Sequence, residues 1–340
     1  MADSAAVRPQ AALPPHTQLL EIAMGFWRDR ALTVAAELEL ADQLAARPLY
    51  VEELAARTKT NARSLFRVLR ALETIGVFKQ VSPRLCGNTE VSEFLRKDIR
   101  GSVWATIRLG SVGGGSFEAW TGLLGAIQTG QIAFEQIHGY SRWEFLQRNP
   151  KQAEIFNEAM RSLSAARTPA VTAASDWSRF PVIADIGGGI GTQLVDILNA
   201  HSRCKGILFD QPEVIAQAIP HDRIERVSGS FFERLPSGAD AYILRSVIHD
   251  WADAEAVEIL KTVCAAAKPE SRVILIELII DDAPENARTK WQDLLMMVTA
   301  GGQEREAAEY QRLLETAGLE LEQIVPTPPG LNLIISRRGA

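Results

Sequence analysis

The chain has 340 residues, of which 46% are hydrophobic and 23% are charged, a composition typical of a globular protein of about two domains. Its formal net charge of −6 argues against a nucleic acid or an anionic membrane as partner. The three cysteines are far apart and the five histidines lack metal-ligand spacing, which argues against a disulfide framework and a protein-built metal site and favours a cytoplasmic protein.

The N-terminal part of the chain predicts a tail followed by a helical domain. Residues 1–15 are rich in Ala and Pro without the order of a signal peptide, so we expect a disordered tail. No apolar run is long enough to cross a bilayer. Within residues 16–105, two short helices, 51–57 and 62–74, precede a β wing. This order is a winged helix-turn-helix pattern.

The second of these helices carries Arg63, Arg67 and Arg70 on one face. Such a stripe is compatible with a DNA recognition helix. A solvated or salt-bridging face is favoured, because three acidic residues lie nearby: Glu52, Glu53 and Glu73.

Residues 106–180 predict a helical linker that contributes to a substrate pocket. The glycine run GSVGGGSF at 110–117 follows no clear strand and precedes no Lys-Ser/Thr pair. A phosphate loop is therefore disfavoured relative to a flexible linker or a turn beside the substrate.

Residues 181–340 alternate strand-like and helix-like segments. This alternation predicts an α/β fold with a parallel sheet covered on both faces. The last two strands, LELEQIVPT and LNLIISRR, are joined by a Pro-Pro-Gly turn and predict an antiparallel hairpin that closes the sheet.

A glycine loop, ADIGGGIGTQ, lies between the first strand and the first helix of this region. Gly187, Gly189 and Gly191 allow a ligand to approach the backbone, and the following helix N-terminus offers free N–H groups. Asp210 ends the next strand, about twenty residues later, where an acid accepts two ribose hydroxyls. Both NAD and S-adenosylmethionine suit such a pocket.

Three features favour S-adenosylmethionine. The loop lacks the third glycine of GxGxxG, the chain ends in the antiparallel hairpin, and the strand AYILRSVI ends at a candidate base, His249. Ligands of α/β folds bind at the carboxyl ends of parallel strands, so we expect His249 to face the ligand.

Five segments in this order and spacing, VIADIGGGIG, GILFDQPEVI, SVIHDWADAEAVEILK, RVILIELII and AGGQEREAAEYQRLLETAGL, resemble the dimeric, metal-independent small-molecule O-methyltransferases. That family includes plant phenylpropanoid and flavonoid enzymes, acetylserotonin methyltransferases, and bacterial enzymes that tailor polyketides and phenazines. The resemblance implies a Rossmann-like class I methyltransferase domain at 181–340 and a winged-helix dimerisation domain at 16–105.

The resemblance also implies a set of site residues. His249 would be the general base, flanked by Glu277 and Glu304, one of which fixes the ring tautomer. The cofactor side would comprise Asp185, Gly187, Gly189, Asp210, Ser230, Phe231, Arg245, Asp250 and Trp251. Ser230 stands where the family usually has an Asp, and Arg245 stands where plant members have a Lys. The acceptor site would comprise Phe156, Asn157, Met160, Asp293, Met296 and Met297.

The sequence thus predicts a homodimeric O-methyltransferase of secondary metabolism that moves a methyl group from S-adenosylmethionine, without a metal, to a hydroxyl of a small, aromatic acceptor. One alternative keeps the fold and cofactor but methylates nitrogen or carbon, or catalyses decarboxylation, hydroxylation or cyclisation. Another is a winged-helix DNA-binding regulator that senses a nucleoside-type ligand. The acceptor itself is not specified by the sequence.

Overall fold

The computed structural model describes residues 14–111, 113–328 and 330–339. These residues separate into two units, Met1–Ser111 and Val112–Ala340. The predicted disordered tail, 1–15, lies outside the described residues except for Pro14 and Pro15. No helix within the described ranges combines the length and the apolar character that a membrane span requires.

The first unit contains seven helices and a small three-stranded sheet within its described residues. The elements are α1 (Pro15–Ala23), α2 (Gly25–Glu37), α3 (Leu40–Gln43), β1 (Leu49–Tyr50), α4 (Val51–Thr58), α5 (Ala62–Glu73), β2 (Phe78–Ser82), β3 (Leu85–Asn88), α6 (Glu90–Glu93) and α7 (Trp104–Ser111). The strand order is β1-β3-β2, with antiparallel pairing throughout. The winged-helix prediction is confirmed.

Local chemistry explains the central helix of this unit. The side chain of Asn61 accepts a hydrogen bond from Ser64 N at 3.0 Å and so caps α5. Leu65, Leu69 and Leu72 recur at helical spacing and are buried in the core of the unit.

The arginine stripe on the opposite side of α5 is exposed. The neighbouring acids bond elsewhere: Glu52 pairs with Arg84, Glu53 with Arg47 and Arg57, and Glu73 accepts hydrogen bonds from Gln80. Arg63, Arg67 and Arg70 make no ion pair with any residue that the structure describes. The sequence favoured either a solvated face or a salt-bridging face for this stripe, and the structure shows a solvated face.

The second unit begins with helices and continues as an α/β sandwich. The helices are α8 (Ser116–Trp120), α9 (Leu123–Thr129), α10 (Ala133–His138), α11 (Arg142–Arg148) and α12 (Pro150–Ala173). The sandwich comprises β4 (Val182–Ile186), α13 (Thr192–Ala200), β5 (Lys205–Asp210), α14 (Pro212–Ile215), β6 (Ile224–Ser228), β7 (Ala241–Arg245), α15 (Asp253–Ala266), β8 (Arg272–Leu278), α16 (Ala287–Thr299), α17 (Ala307–Thr316), β9 (Leu319–Pro326) and β10 (Leu331–Arg338). Three short 3₁₀ helices lie at Trp177–Arg179, Ile248–Asp250 and Pro284–Asn286.

The seven strands form one sheet in the order β6-β5-β4-β7-β8-β10-β9. The first five strands are parallel, whereas β10 pairs antiparallel with β8 and β9. Almost every residue of β4, β7 and β8 is buried, because helices cover both faces. The predicted α/β fold with a closing hairpin is confirmed.

One predicted helix is shorter than expected. The segment QPEVIAQAI forms only the single turn of α14. Pro220 follows the segment and disfavours helix at the residue before it, and Ile219 N donates instead to Ile190 O at 2.9 Å. This bond ties the segment to the glycine loop.

Within the glycine run at 110–117, Gly115 packs closely against aromatic rings. Gly114 and Gly115 have φ of 65° and 69°, and a Cβ on Gly115 would lie 2.9 Å from the Phe134 ring and 3.0 Å from His138 Nε2. Gly114 N donates to Gln152 Oε1 at 2.8 Å. Gly114 and Gly115 thus lie in a packed turn of the second unit, which fits neither a phosphate loop nor a loose linker.

Candidate active site

His249 lies just beyond the carboxyl end of β7, in the middle of a 3₁₀ turn. Its side chain is 12% exposed. Nδ1 lies 2.8 Å from Oε1 of Glu304 and 3.9 Å from Oε2 of Glu277. Nε2 is 3.8 Å from Oδ1 of Asp250, too far for a hydrogen bond. The structure therefore brings together the three predicted catalytic residues and leaves Nε2 without a hydrogen-bond partner among the described residues.

Backbone hydrogen bonds hold the carboxylate of Glu277 and the segment that carries Glu304. Oε1 of Glu277, which is fully buried, accepts hydrogen bonds from Val247 N at 3.0 Å and Ile248 N at 2.9 Å. The backbone N–H of Glu304 donates to Oδ1 of Asp293 at 3.0 Å. Asp293, predicted in the acceptor site, thus holds the segment that carries Glu304.

The electrostatics of the cluster favour the imidazolium form of His249. Burial alone lowers the pKa of His249, but Glu277, Asp250 and Glu304 outweigh burial and raise this pKa to about 10. Burial raises the pKa of Glu277 to about 7, against the opposing effect of His249. The ring is therefore a stronger base than free imidazole.

The glycine loop turns the chain from β4 into α13. Gly187, Gly189 and Gly191 have φ of 66°, 61° and 88°, in the left-handed region that side chains rarely adopt. A Cβ on Gly187 would lie 2.8 Å from Val247, whereas a Cβ on Gly189 would meet no atom within 4 Å. The loop is thus closed towards β7 and open at Gly189.

Two aspartates lie against the loop, Asp210 at Gly189 and Asp185 at Gly188. Asp210 accepts hydrogen bonds from Gly189 N at 2.8 Å and Gln211 N at 2.7 Å, and burial raises its pKa. Asp185 is 1% exposed, and neither carboxylate oxygen has a partner among the described residues. Burial raises the pKa of Asp185 to about 7, although Arg245 opposes that shift. Buried acceptors without donors require a ligand or water that supplies N–H or O–H groups.

An aromatic cluster lies beyond the end of β6. Trp251 makes edge-to-face contacts with Phe231 and Phe232, at centroid distances of 5.7 and 4.8 Å. The hydroxyl of Ser230 accepts a hydrogen bond from Phe232 N at 3.3 Å. These rings form an apolar wall suited to a flat heterocycle.

Arg245, at the end of β7, bonds within the protein. Its Nη1 donates to Thr168 Oγ1 and Gln193 Oε1, both at 2.8 Å, and its Nη2 donates to Ser164 O at 3.3 Å. It therefore joins α12, α13 and β7 beside Asp185.

The predicted acceptor residues lie on two helices, α12 and α16. Phe156 is partly buried and stacks edge-on against Trp143 at 6.2 Å, while Asn157 and Met160 are exposed. Met296 is 4% exposed, and Met297 packs into the core around Phe134. The two methionines of α16 thus belong to the packed interior.

Ligand atoms of His249, Glu277 and Glu304 lie within 4.8 Å of one another, a spacing that a metal ion could use. All three groups already have partners, since Nδ1 of His249 bonds to Oε1 of Glu304 and Oε1 of Glu277 accepts two backbone N–H groups. The absence of a metal stays a prediction.

Known families match both units of the chain. The O-methyltransferase domain family matches residues 120–320, and the O-methyltransferase dimerisation domain family matches residues 20–98. The chain belongs to the O-methyltransferase family.

Relatives of this methyltransferase span nearly its whole length. Phenazine O-methyltransferase PhzM of Lysobacter antibioticus is 37% identical over 333 residues, 96% of this chain and 97% of that protein. Mitomycin biosynthesis 6-O-methyltransferase of Streptomyces lavendulae is 35% identical over 328 residues, which are 94% of this chain and 93% of that protein. The crystal structure of the neocarzinostatin O-methyltransferase NcsB1, in complex with S-adenosylmethionine and 2-hydroxy-5-methyl naphthoic acid, superposes with a TM-score of 0.80 at 31% identity, covering 91% of this chain and 95% of that chain.

Sequence reasoning missed two residues that hold the turn carrying His249, the predicted general base. Arg305, fully buried, donates from Nη1 to Ile248 O at 3.1 Å and from Nη2 to Trp251 O at 2.8 Å. Gly302 lies directly against the backbone of His249. Both residues adjoin the predicted Glu304 in the motif GGQERE, and this adjacency is the only signal that the sequence offers for them.

Proposed function

We propose that the protein transfers the methyl group of S-adenosylmethionine to a hydroxyl of a small aromatic acceptor, with His249 as the general base. The 2.8 Å contact between Nδ1 of His249 and Oε1 of Glu304 carries this proposal. It assigns the Nδ1 proton to the bond with Glu304, so that Nε2 of the neutral ring is the atom that accepts the proton of the acceptor hydroxyl.

The carboxylates around His249 match its basicity to that of a phenol. A free imidazole, with a pKa of about 6.5, is weaker than a phenolate by roughly 3.5 pKa units, or about 5 kcal/mol. Because Glu277, Asp250 and Glu304 raise the pKa of His249 to about 10, proton transfer from a phenol to Nε2 becomes nearly balanced. The same carboxylates then stabilise the imidazolium that forms.

The residues around the glycine loop fit the proposed cofactor. Asp185 offers two buried acceptor oxygens without protein donors, and the loop is open at Gly189. We assign Asp210 to the ribose hydroxyls and the cluster of Phe231 and Trp251 to the adenine ring. When bound, S-adenosylmethionine supplies an electrophilic methyl group and leaves as the neutral thioether S-adenosylhomocysteine.

An aromatic acceptor is supported by the lining of α12 and by the relatives. Phe156 and Met160 provide apolar and polarisable surface. The relatives named above comprise a phenazine O-methyltransferase and a structure holding a hydroxynaphthoic acid. We infer that this protein methylates a hydroxylated aromatic natural product.

The dimerisation family match supports a homodimer, and exposed apolar side chains of α1 and α2 supply candidate contact surface. A cytoplasmic location, expected from cysteine usage, stays a prediction. The intact His249–Glu304 pair favours methyl transfer to oxygen over the non-methylating reactions, which have no need of a base at this place.

An acceptor screen with isotopically labelled S-adenosylmethionine tests the proposal. We expect a hydroxylated aromatic to gain one labelled CH₃ in place of its hydroxyl proton, as read by mass spectrometry. His249→Ala should slow this reaction by ~10²–10⁴-fold and leave the affinity for S-adenosylhomocysteine within about twofold. His201→Ala removes an imidazole outside the site and should have no effect. Full activity of His249→Ala would refute the base assignment.

A further inference from the structure

Arg142, the first residue of α11, is a buried cation beside the predicted acceptor residues. It is 6% exposed. Its guanidinium lies 4.9 Å from the centre of the Phe156 ring, and its Nη1 donates to Thr299 Oγ1 at 3.0 Å. Arg142 therefore contacts α12 and the end of α16, the two helices that carry the predicted acceptor residues.

One edge of this guanidinium has no partner among the described residues. Nη1 is used by Thr299, but Nε is buried without a hydrogen bond, and Nη2 makes none within the described chain. No described carboxylate lies within ion-pair distance of Arg142, and the negative charge of Asp250 acts on it only from farther away. Leaving a buried charge without a close partner costs several kcal/mol of folding free energy. Arg142 therefore destabilises the fold unless a ligand pairs with it.

The Nε–Nη2 edge is a planar fork of two parallel donors. Such a fork matches the two oxygens of a carboxylate, and it gives both charge-assisted bonds a good geometry. The catalytic cluster makes this match useful. The three carboxylates Glu277, Glu304 and Asp250 outnumber the single positive charge of protonated His249. A second cation would therefore favour an acidic acceptor at this place.

We propose that Arg142 binds a carboxylate on the acceptor, so that the preferred substrates are hydroxylated aromatic acids. The carboxylate occupies the Nε–Nη2 edge while the acceptor hydroxyl faces Nε2 of His249. The aromatic ring that carries both groups lies beside Phe156. This assignment rests on the proposed function and adds the class of its acceptor.

Ligand binding, independent of turnover, tests the assignment. The probes are 2-hydroxy-1-naphthoic acid and its carboxamide, titrated by calorimetry into enzyme saturated with S-adenosylhomocysteine. We expect the acid to bind the wild-type protein about 10–100-fold more tightly than the amide, as suits hydrogen bonds to a charged group. Arg142→Met should abolish the preference and change amide affinity by less than about threefold. Arg142→Lys should retain part of it, because the charge remains and the fork is lost.

Arg148→Met is the matched control, because Arg148 lies on the same helix, is exposed, pairs with Glu144 and lies over the ring of Tyr140. It should keep the full preference. Thermal melts and circular dichroism establish that each variant is folded. Equal binding of acid and amide to the wild-type protein, or an equal loss of both in Arg142→Met, would overturn the assignment. Methyl transfer to neutral phenols without a preference for acids would also overturn the Arg142 assignment, but it would leave the proposed function intact. Absence of methyl transfer to every acceptor would instead contradict the proposed function.

Discussion

The α-carbon of Gly302 faces the carbonyl group of His249 so closely that a Cβ on Gly302 would lie 2.0 Å from His249 O. The same Cβ would lie 2.4 Å from the carbonyl carbon of Asp250. The next residue, Gln303, donates its backbone N–H to His249 O at 2.9 Å. The absence of a side chain at 302 thus allows the segment that carries Glu304 to press against the turn that carries His249.

Gly302→Ala should separate these two segments, because the obstructing atoms are backbone and cannot rotate away. We expect a fall in kcat of about 10²-fold, as a shift of about 1 Å at a catalytic group produces, with a loss of ~1–3 kcal/mol in the free energy of unfolding. Steady-state kinetics and urea unfolding measure both quantities. Gly110→Ala is the control, since a Cβ at Gly110 meets nothing within 4 Å. Wild-type kcat in Gly302→Ala would show that the close approach has no catalytic role.

Asp185→Asn should stabilise the protein and weaken its cofactor site. The pKa of Asp185 is raised to about 7 in the folded state, so the folded protein binds more protons than the unfolded chain between about pH 4 and 7, and stability falls as pH rises through this window. The neutral amide removes that penalty. We expect a gain of ~2–4 kcal/mol at pH 8 and little change at pH 4.

The same substitution halves the acceptor capacity of a side chain whose two oxygens have no donor in the described protein. Calorimetry should therefore show weaker binding of S-adenosylhomocysteine by about 10-fold or more. Asp176→Asn, an exposed aspartate bonded to Ser178, is the comparison. Unchanged affinity in Asp185→Asn would remove Asp185 from the cofactor site.

The fold was largely readable from the sequence because its signals are local. Alternating buried strands and amphipathic helices, the glycine loop at 187–191 and the Pro-Pro-Gly hairpin each depend on neighbours in the chain. The helix predicted after Asp210 was too long, because a long-range hydrogen bond between Ile219 and Ile190 competes with helix there.

The site was predictable only where a recognised motif contained its residues. His249, Glu277 and Glu304 were predicted in this way, and the structure brings them together although they come from separate strands and loops. Arg142 was missed, since its partner Thr299 lies 157 residues away and nothing in the local sequence marks an arginine as buried. Arg305 was missed for a related reason: a charged residue is ordinarily exposed, and its contacts with the carbonyls of the turn carrying His249 form only in the folded chain.

A double substitution, Leu20→Glu and Trp27→Glu, should convert the proposed homodimer to monomers. Leu20 and Trp27 are 60% and 65% exposed, so charge at these positions does not disturb the core of the first unit. Five large apolar side chains are exposed on α1 and the start of α2: Leu19, Leu20, Ile22, Phe26 and Trp27. Light scattering after size-exclusion chromatography measures the molar mass of the protein in solution, which should fall from that of two chains to that of one. Val81→Glu, which alters an apolar residue 53% exposed on the wing, is the control. A wild-type protein with the mass of one chain would contradict the homodimer.

Glu277→Gln should lower the pKa of His249 and move the pH dependence of catalysis. Among the charges that raise this pKa, Glu277 has the largest effect. The base form of the ring accumulates as pH rises through its pKa, so kcat/KM of the wild-type enzyme should climb from pH 7 towards pH 10. Loss of the Glu277 charge should shift the rising limb to lower pH by about 1–3 units. The limiting rate at high pH should fall, since the weaker base is less well matched to a phenol.

NMR titration of the His249 ring carbons checks the same pKa shift without turnover. Because His249 and Glu277 titrate together, the wild-type curve should show two steps. An unchanged ring titration in Glu277→Gln would mean that Glu277 does not govern the protonation of His249.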